Sequence, residues 1–194
     1  MERLIYADKI EKYYGTKNNI TKALKRVEFE IGKGEFVGIM GASGSGKSTL
    51  LNVLSTIDSV TAGSVYFENT DITTLKEEEL AEFRKEKLGF VFQDFNLLDT
   101  LTIEENITLA ISLRGKGKAE SVRRVEAVMK RLGISDIRNK FPYEVSGGQK
   151  QRCACARAVV NDPLIIMADE PTGALDSRSA QMLLDTFVTL NEEM

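Results

Sequence analysis

Short apolar runs alternate with amphipathic segments along most of the chain, as expected where strands alternate with helices. Apolar or alternating runs predict strands at residues 4–7, 27–31, 36–40, 63–67, 88–92 and 164–168. Helical periodicity predicts helices at residues 49–55, 75–87, 148–160 and 179–191, and a longer helical stretch at 103–132 that breaks near 114–117. The two kinds of element therefore alternate, except in the helical middle of the chain.

Two of the predicted strands have no polar face. The run FVGIM (36–40) ends at a glycine, and the run LIIM (164–167) is followed closely by Asp169 and Glu170. Strands that are apolar on both faces are typical of parallel sheets that helices cover on both sides. We therefore expect an α/β domain with a buried parallel sheet, in which the helical middle is an inserted subdomain.

Composition and charge limit the kind of protein this can be. The 194 residues, 42% of them hydrophobic, suit one domain with a sizeable core. A net charge of −3 gives no reason to expect a nucleic-acid partner. No apolar run approaches the ~20 residues that cross a bilayer, and the N-terminus MERLIYADKI lacks the apolar stretch of a signal peptide. We therefore expect a cytosolic protein.

The two cysteines, Cys153 and Cys155, lie two residues apart within a predicted helix. At that spacing they point to different faces of the helix and do not bridge easily. The chain has no histidine, so the commonest partner for a metal or redox role is missing. We expect both thiols to fill space in the core.

Residues 41–48 read GASGSGKS, which has the form G-x-x-x-x-G-K-[ST]. The motif follows the FVGIM run and leads into a predicted helix, which is the context that indicates a phosphate-binding loop. The glycines let backbone N–H groups surround phosphate oxygens, and the start of the helix adds positive charge. Lys47 is expected to bind the β- and γ-phosphates, and the Ser48 hydroxyl to ligate Mg²⁺. A glycine-rich turn without a ligand would not need this lysine.

Asp169 and Glu170 stand at the end of an apolar strand, where two adjacent carboxylates indicate that a cation meets them. With a phosphate-binding loop in the same chain, Asp169 is expected on the magnesium side of the nucleotide. Glu170 is expected to orient or deprotonate an attacking water. The competing interpretation is a pair of exposed acids at a strand end.

A second anion site is indicated at residues 146–149, SGGQ, where a predicted helix begins. Ser146 is a good N-cap, and the two glycines leave backbone N–H groups accessible. One nucleotide does not need two helix termini on its γ-phosphate. A head-to-tail dimer does need them, because each chain then supplies one terminus to each of two nucleotides held between the chains.

Together these motifs resemble the nucleotide-binding domain of ABC transporters, over nearly the whole chain. GASGSGKS matches the Walker A motif, VSGGQ (145–149) the signature, LIIMADE (164–170) the Walker B motif and ALDS (174–177) the D-loop. The signature has Val145 where leucine is usual. The resemblance implies a P-loop (RecA-like) α/β fold with a mostly parallel sheet core, an N-terminal antiparallel β part and an inserted α-helical subdomain.

The resemblance also implies a set of functional residues. Gln93 matches the Q-loop glutamine that contacts Mg²⁺ and the attacking water, and Tyr14 matches the aromatic residue that stacks on adenine, although Tyr13 competes for that role. The implied catalytic residues are Glu170 and Gln93, and the implied Mg²⁺ ligands are Ser48, Gln93 and Asp169. The implied ATP-binding residues are Tyr14, Gly41, Ala42, Ser43, Gly44, Ser45, Gly46, Lys47, Ser48, Thr49, Ser146, Gly147, Gly148 and Gln149.

By the same resemblance, the single domain (1–194) consists of a RecA-like core with its β part (1–93 and 150–194) and a helical subdomain (94–149) that ends in the signature. In the family the D-loop is followed by a helix, then a strand, then a histidine that contacts the γ-phosphate. Because no histidine is present, that strand and histidine are expected beyond Met194, and the 194 residues are interpreted as an incomplete domain. Alone, they are expected to be marginally folded or self-associating, with little or no ATPase activity.

Two further segments, LNVLSTID (51–58) and LGFVFQDFNLLDTLTIEEN (88–106), resemble the branch that pairs with FtsX-type permeases, and within it the bacitracin-type antimicrobial-peptide resistance transporters. The first hypothesis is therefore the ATP-hydrolysing subunit of such a transporter, peripheral on the inner face of the plasma membrane. The alternatives are an ATP-gated regulatory subunit of an FtsX-type cell-division or lipoprotein-release complex, and a nucleotide-binding fragment without turnover.

Overall fold

The computed structural model describes residues 2–16, 19–115, 117–173 and 175–193. They form two compact units, residues 1–82 and residues 83–194. Among the helices of the described ranges, none is long and apolar enough to cross a membrane.

A four-stranded antiparallel sheet forms most of the first unit. Its strands are β1 (Arg3–Thr16), β2 (Asn19–Gly32), β3 (Ala62–Phe67) and β4 (Thr70–Asp71), in the order β2-β1-β3-β4. One face of β1 and β3 packs inward, and its buried side chains are Ile5, Ala7, Ile10, Val65 and Phe67. This sheet is the N-terminal antiparallel part that the family resemblance implies.

β1 and β2 are each 14 residues long, far longer than the strands predicted at 4–7 and 27–31. Their pairing shifts register between Ala7 and Ile10, and Lys9 in this interval has a φ of +47°. Such a bulge interrupts the alternation of inward- and outward-facing side chains. The sequence pattern therefore does not show the full length of β1, which is set by its pairing with β2.

Helix α1 (Lys47–Leu54) follows the glycine loop, as predicted, and buries Leu50, Val53 and Leu54. A 3-10 helix at Ile72–Thr74 then leads to helix α2 (Glu77–Lys87). The first turn of α2 is acidic and its last turn is basic, an arrangement that the helix dipole favours. None of the residues of α2 is buried. The amphipathic pattern predicted here therefore does not place side chains in a hydrophobic core.

The prediction of a buried strand at residues 36–40 is wrong. These residues belong to no strand, and Phe36 is 55% and Met40 94% exposed. A strand is stabilised by hydrogen bonds to a neighbouring strand, and no residue of the described ranges pairs with this segment. The apolar composition indicates a tendency to form a strand, but pairing decides whether the strand exists.

The second unit consists of helices packed on a two-stranded parallel sheet. Strands β5 (Leu88–Val91) and β6 (Ile165–Ala168) pair in parallel, with Val91 opposite Ala168. The helices of this unit are α3 (Ile103–Ser112), α4 (Lys118–Arg131), α5 (Gly147–Val159) and α6 (Ser177–Glu193). The predicted break near 114–117 separates α3 from α4, and Lys116 within it lies outside the described residues. Parallel pairing and an inserted helical stretch agree with the predicted α/β class.

One hydrophobic core joins β5 to the helices of the second unit. It includes Val91 of β5, Ile107 of α3 and Phe187 of α6. Cys153 and Cys155 of α5 lie in the same core, are 0% exposed and are not disulfide-bonded. Burial raises the pKa of each thiol to about 12. The structure thus confirms that both cysteines fill space in the core.

Candidate functional site

The glycine loop GASGSGKS lies at the start of α1, and its residues 41–45 are exposed. Gly46, the N-cap of α1, has a φ of +96°, which L side chains rarely adopt. A Cβ at Gly46 would also lie 2.6 Å from the carbonyl oxygen of Ala23 on β2. A glycine is therefore required here for the loop to enter the helix in contact with the sheet.

Lys47 folds back over the loop that precedes it. Its ammonium group donates to the carbonyl oxygens of Gly41, at 3.0 Å, and Ala42, at 3.1 Å. The first backbone hydrogen bond of α1 runs from Leu50 N to the carbonyl of Gly46, and no side chain caps the helix. The loop thus combines a lysine cation with an uncapped helix start, which is the arrangement that binds phosphate groups.

Tyr14 and Tyr13 are neighbours on β1, so their side chains point to opposite faces of the sheet. The Tyr14 hydroxyl donates to Asp58 at 2.6 Å and hydrogen-bonds to the side chain of Thr49 in the first turn of α1. The Tyr13 hydroxyl instead bonds to Glu11. Only Tyr14 of this pair is thus tied to the helix that follows the glycine loop, a difference that the sequence leaves open.

The acidic pair stands at the carboxyl end of β6 in the second unit. The backbone N–H of Asp169 donates to the carbonyl of Val91 at 3.1 Å, extending the pairing beyond the strand. Glu170 is exposed and has a φ of +43°, a conformation uncommon for residues other than glycine. This backbone turns the chain sharply, and Gly173 N then donates to the carbonyl of Glu170 at 2.9 Å.

Gln93 lies close to this turn. It follows the end of β5, and because β5 and β6 are parallel, their carboxyl ends meet at one edge of the sheet. A Cβ built on Gly173 would lie 3.5 Å from Gln93 Nε2 and 3.8 Å from Glu170 Cβ. The structure therefore brings together the two residues predicted to be catalytic, Gln93 and Glu170.

Arg157 of α5 contacts the loop that begins at Gln93. Its guanidinium group donates to the carbonyls of Phe95, at 2.9 Å, and Asn96, at 2.5 Å. Phe95 and Asn96 both have positive φ, +61° and +46°. Burial lowers the pKa of Arg157. Arg157 escapes prediction from the sequence, where the only signal is one arginine among the small residues of CACARA.

The SGGQ segment starts α5 as predicted. Ser146 is the N-cap: its hydroxyl accepts from Gln149 N at 3.3 Å, and Gln149 Oε1 accepts from Ser146 N at 2.9 Å. A Cβ at Gly147 would meet no atom within 4 Å, whereas one at Gly148 would lie 3.2 Å from the Ser179 hydroxyl. The segment is a stable helix start with open space at Gly147.

Asp176 of the D-loop caps α6. Its carboxylate accepts from the backbone N–H groups of Arg178 and Ser179, both at 3.0 Å, and from the Ser179 hydroxyl at 2.7 Å. The hydrogen bonds from Ser179 lower the pKa of Asp176. Ala174, the first D-loop residue, lies outside the described residues.

The predicted site residues fall into one set in each unit: 14 and 41–49 in the first, and 93, 146–149 and 169–170 in the second. The described ranges contain no group of three or more histidine, cysteine, aspartate or glutamate side chains that could hold a metal ion.

The family model for ABC transporters matches residues 24–173. A bacitracin export ATP-binding protein of Halalkalibacterium halodurans is 53% identical over 191 residues, covering 98% of this chain and 76% of that protein. A lipoprotein-releasing system ATP-binding protein of Aquifex aeolicus is 46% identical over 169 residues, covering 87% of this chain and 75% of that protein. Both relatives match across most of their own length.

A solved structure also matches this chain. It is a dimeric ATP-binding cassette of Methanocaldococcus jannaschii in a post-hydrolysis state bound to ADP and Pi, with a TM-score of 0.90, 41% identity, and coverage of 98% of this chain and 84% of that chain. This likeness confirms the P-loop α/β fold. The chain therefore belongs to the ABC transporter family, as an ATPase subunit.

Proposed function

We propose that this chain is the ATP-hydrolysing subunit of a transporter that exports antimicrobial peptides or confers resistance to them, together with an FtsX-type permease. The observation that carries this proposal is the 53% identity to a bacitracin export ATP-binding protein over 98% of the chain. In this role the subunit is peripheral on the cytoplasmic face of the plasma membrane. Residues 1–93 and 150–194 act as the catalytic core, and residues 94–149 as the helical subdomain.

ATP is bound by the glycine loop and Tyr14. The uncapped start of α1 and the ammonium of Lys47 provide positive charge for the β- and γ-phosphates. Tyr14 is 42% exposed as a residue, and its hydroxyl bonds to Thr49, which suits its ring to stack on the adenine. Residues 41–46 and 48–49 supply backbone N–H groups and hydroxyls around the phosphates.

The Mg²⁺ that accompanies ATP fits the donor set of this chain. Ser48, Gln93 and Asp169 provide a hydroxyl, an amide oxygen and one carboxylate, all hard oxygen ligands. Magnesium commonly takes one or two carboxylates together with substrate phosphates and water, so a site without an acid cluster is sufficient. The metal supplies charge neutralisation on the β- and γ-phosphates.

Glu170 and Gln93 prepare the attacking water. Glu170 accepts its proton or orients it, and Gln93, whose amide lies close to the turn after Glu170, holds it from a second direction. Ser146, Gly147, Gly148 and Gln149 act on the nucleotide of the partner subunit in a head-to-tail dimer. The open space at Gly147 leaves the start of α5 accessible for that contact.

A lipoprotein-release or cell-division role is the second candidate, favoured by the 46% identity to a lipoprotein-releasing system ATP-binding protein. Deletion of the gene, followed by complementation with the full-length wild type or Glu170→Gln, separates the two. If the protein acts in antimicrobial-peptide export or resistance, the deletion strain should be sensitive to bacitracin or a lantibiotic. Only complementation with the wild type should restore resistance. Normal resistance combined with cell chaining or retained lipoproteins would support the second candidate and contradict the first.

A further inference from the structure

Lys12 of β1 is buried although it carries a charge. It is 8% exposed, and its ammonium donates to Asp58 Oδ1 at 2.5 Å and to the carbonyl of Ser59 at 2.6 Å. Lysine is rarely buried unless it is paired, and burial of a pair is not by itself a reliable source of stability. The nucleotide-binding motifs do not include Lys12 or Asp58.

Both groups of this pair contact Tyr14. The second carboxylate oxygen of Asp58 accepts the Tyr14 hydroxyl at 2.6 Å. The Lys12 ammonium lies 5.1 Å from the centroid of the Tyr14 ring, within the range of a cation–π contact. The ring is therefore fixed at its hydroxyl and on one face.

The hydrogen bond between Tyr14 and Asp58 is maintained at neutral pH. Burial and the hydrogen bond to Asp58 raise the pKa of the Tyr14 hydroxyl, so it stays a donor at neutral pH. Burial acts to raise the pKa of Asp58, but the bonds from Lys12 and Tyr14 outweigh it, and this pKa is lowered. The carboxylate is thus charged at neutral pH, and the contact persists under physiological conditions.

The hydroxyl of Tyr14 is also bonded to Thr49, two residues after Lys47. Tyr14 is therefore linked to the first turn of the helix that follows the phosphate loop. A side chain that is already ordered loses less conformational entropy when a ligand binds than a freely rotating one does. One face of the ring carries the Lys12 ammonium, so an incoming base stacks on the other face.

We propose that Lys12 and Asp58 are positioning residues that hold the Tyr14 ring ready for the base, and so make the site prefer a nucleoside triphosphate to a bare triphosphate. The inference rests on the base-stacking role of Tyr14 given in the proposed function. If the pair only joined β1 to the segment after α1, its loss would lower stability without changing this preference.

The test is calorimetric binding of ATP and of inorganic triphosphate to the full-length protein. Asp58→Asn removes the charge and leaves one acceptor oxygen where Lys12 and Tyr14 use two, so it cannot hold both groups as the carboxylate does. Tyr14→Phe removes the hydroxyl itself. Each should weaken ATP binding about three- to tenfold, leaving triphosphate affinity unchanged. Glu11→Gln and Tyr13→Phe are matched controls, because they break the equivalent contact of the neighbouring tyrosine. They should leave both affinities unchanged.

Combining Asp58→Asn with Tyr14→Ala distinguishes an effect on the position of the ring from a general effect on protein stability. Asp58→Asn should have no further effect on ATP affinity there, because the ring that it positions is absent. An equal loss for both ligands, or a preserved preference in Asp58→Asn and Tyr14→Phe, would overturn the inference. If Tyr14→Ala itself keeps the preference for ATP, the base-stacking role in the proposed function is wrong as well. If Tyr14→Ala abolishes the preference for ATP over triphosphate while Asp58→Asn and Tyr14→Phe keep it, only the inference about Lys12 and Asp58 is wrong.

Discussion

Arg157 Nη1 lies 2.5 Å from the carbonyl oxygen of Asn96. This contact joins α5, the helix that begins at the signature segment, to the loop that begins at Gln93. The second guanidinium nitrogen holds the carbonyl of Phe95 at 2.9 Å. The two carbonyls belong to residues with positive φ, so the arginine stabilises a backbone conformation that is otherwise unfavourable.

Arg157→Lys should therefore loosen the Gln93 loop. A lysine has one donor group on a flexible stem and does not reproduce a forked contact to two carbonyls. We expect a loss of about 1.5–3 kcal/mol in the free energy of unfolding, measured by urea denaturation, and slower phosphate release with ATP binding retained. Arg123→Lys on the exposed face of α4 is the control. Unchanged phosphate release in Arg157→Lys would show that the contact has no influence on Gln93.

Lys47→Ala should weaken ATP binding about 10- to 100-fold, because it removes a charge-assisted contact to the phosphates. Isothermal titration calorimetry on the full-length protein measures the effect. Lys33→Ala, which removes a cation paired with Glu2 and Glu68, is the control and should bind ATP normally. Normal ATP affinity in Lys47→Ala would exclude the glycine loop as the phosphate site.

Glu170→Gln should lower hydrolysis about 10²- to 10⁴-fold while ATP binding is retained. The amide keeps the size of the side chain but does not accept a proton, so ATP remains bound and the closed dimer accumulates. Phosphate release and size-exclusion chromatography with ATP measure the two effects. Glu86→Gln in the same unit serves as the control. Hydrolysis at the wild-type rate in Glu170→Gln would assign the base to another residue.

Gly147→Asp should abolish hydrolysis without weakening ATP binding by the monomer. A Cβ fits at this position, so the fold should tolerate the change, while the added negative charge would repel the phosphates of the partner's nucleotide. Gly147→Ala adds the Cβ without the charge and should retain most activity. Weaker ATP binding by monomeric Gly147→Asp would contradict a role across the dimer interface.

The two cysteines should resist alkylation in the folded protein. The thiolate is the reactive form, and burial raises the pKa of Cys153 and Cys155 to about 12. Iodoacetamide at pH 8 should therefore modify neither thiol until denaturant unfolds the chain, as measured by intact mass. Rapid labelling of the native protein would show that α5 opens readily.

Features that depend only on residues close together in the chain can largely be predicted from the sequence alone. The loop GASGSGKS, the helix start at Ser146 and the strand that ends before Asp169 can be located because glycines, caps and apolar runs act over a few residues. The helix boundaries at α1 and α5 agree with the predicted ones to within two residues of each end. The expectation that Cys153 and Cys155 fill space in the core rests on their residue type and not on helical periodicity, which points them to different faces.

Tertiary structure decided what depends on distant partners. The run at 36–40 is as apolar as a buried strand but is exposed, because no described segment pairs with it. The Tyr14 hydroxyl, unlike that of Tyr13, bonds to Asp58, 44 residues away, and Arg157 acquires its role from Asn96, 61 residues away. Pairing, burial and hydrogen bonding between remote residues exist only once the chain has folded, so these relationships were not visible in the order of the residues.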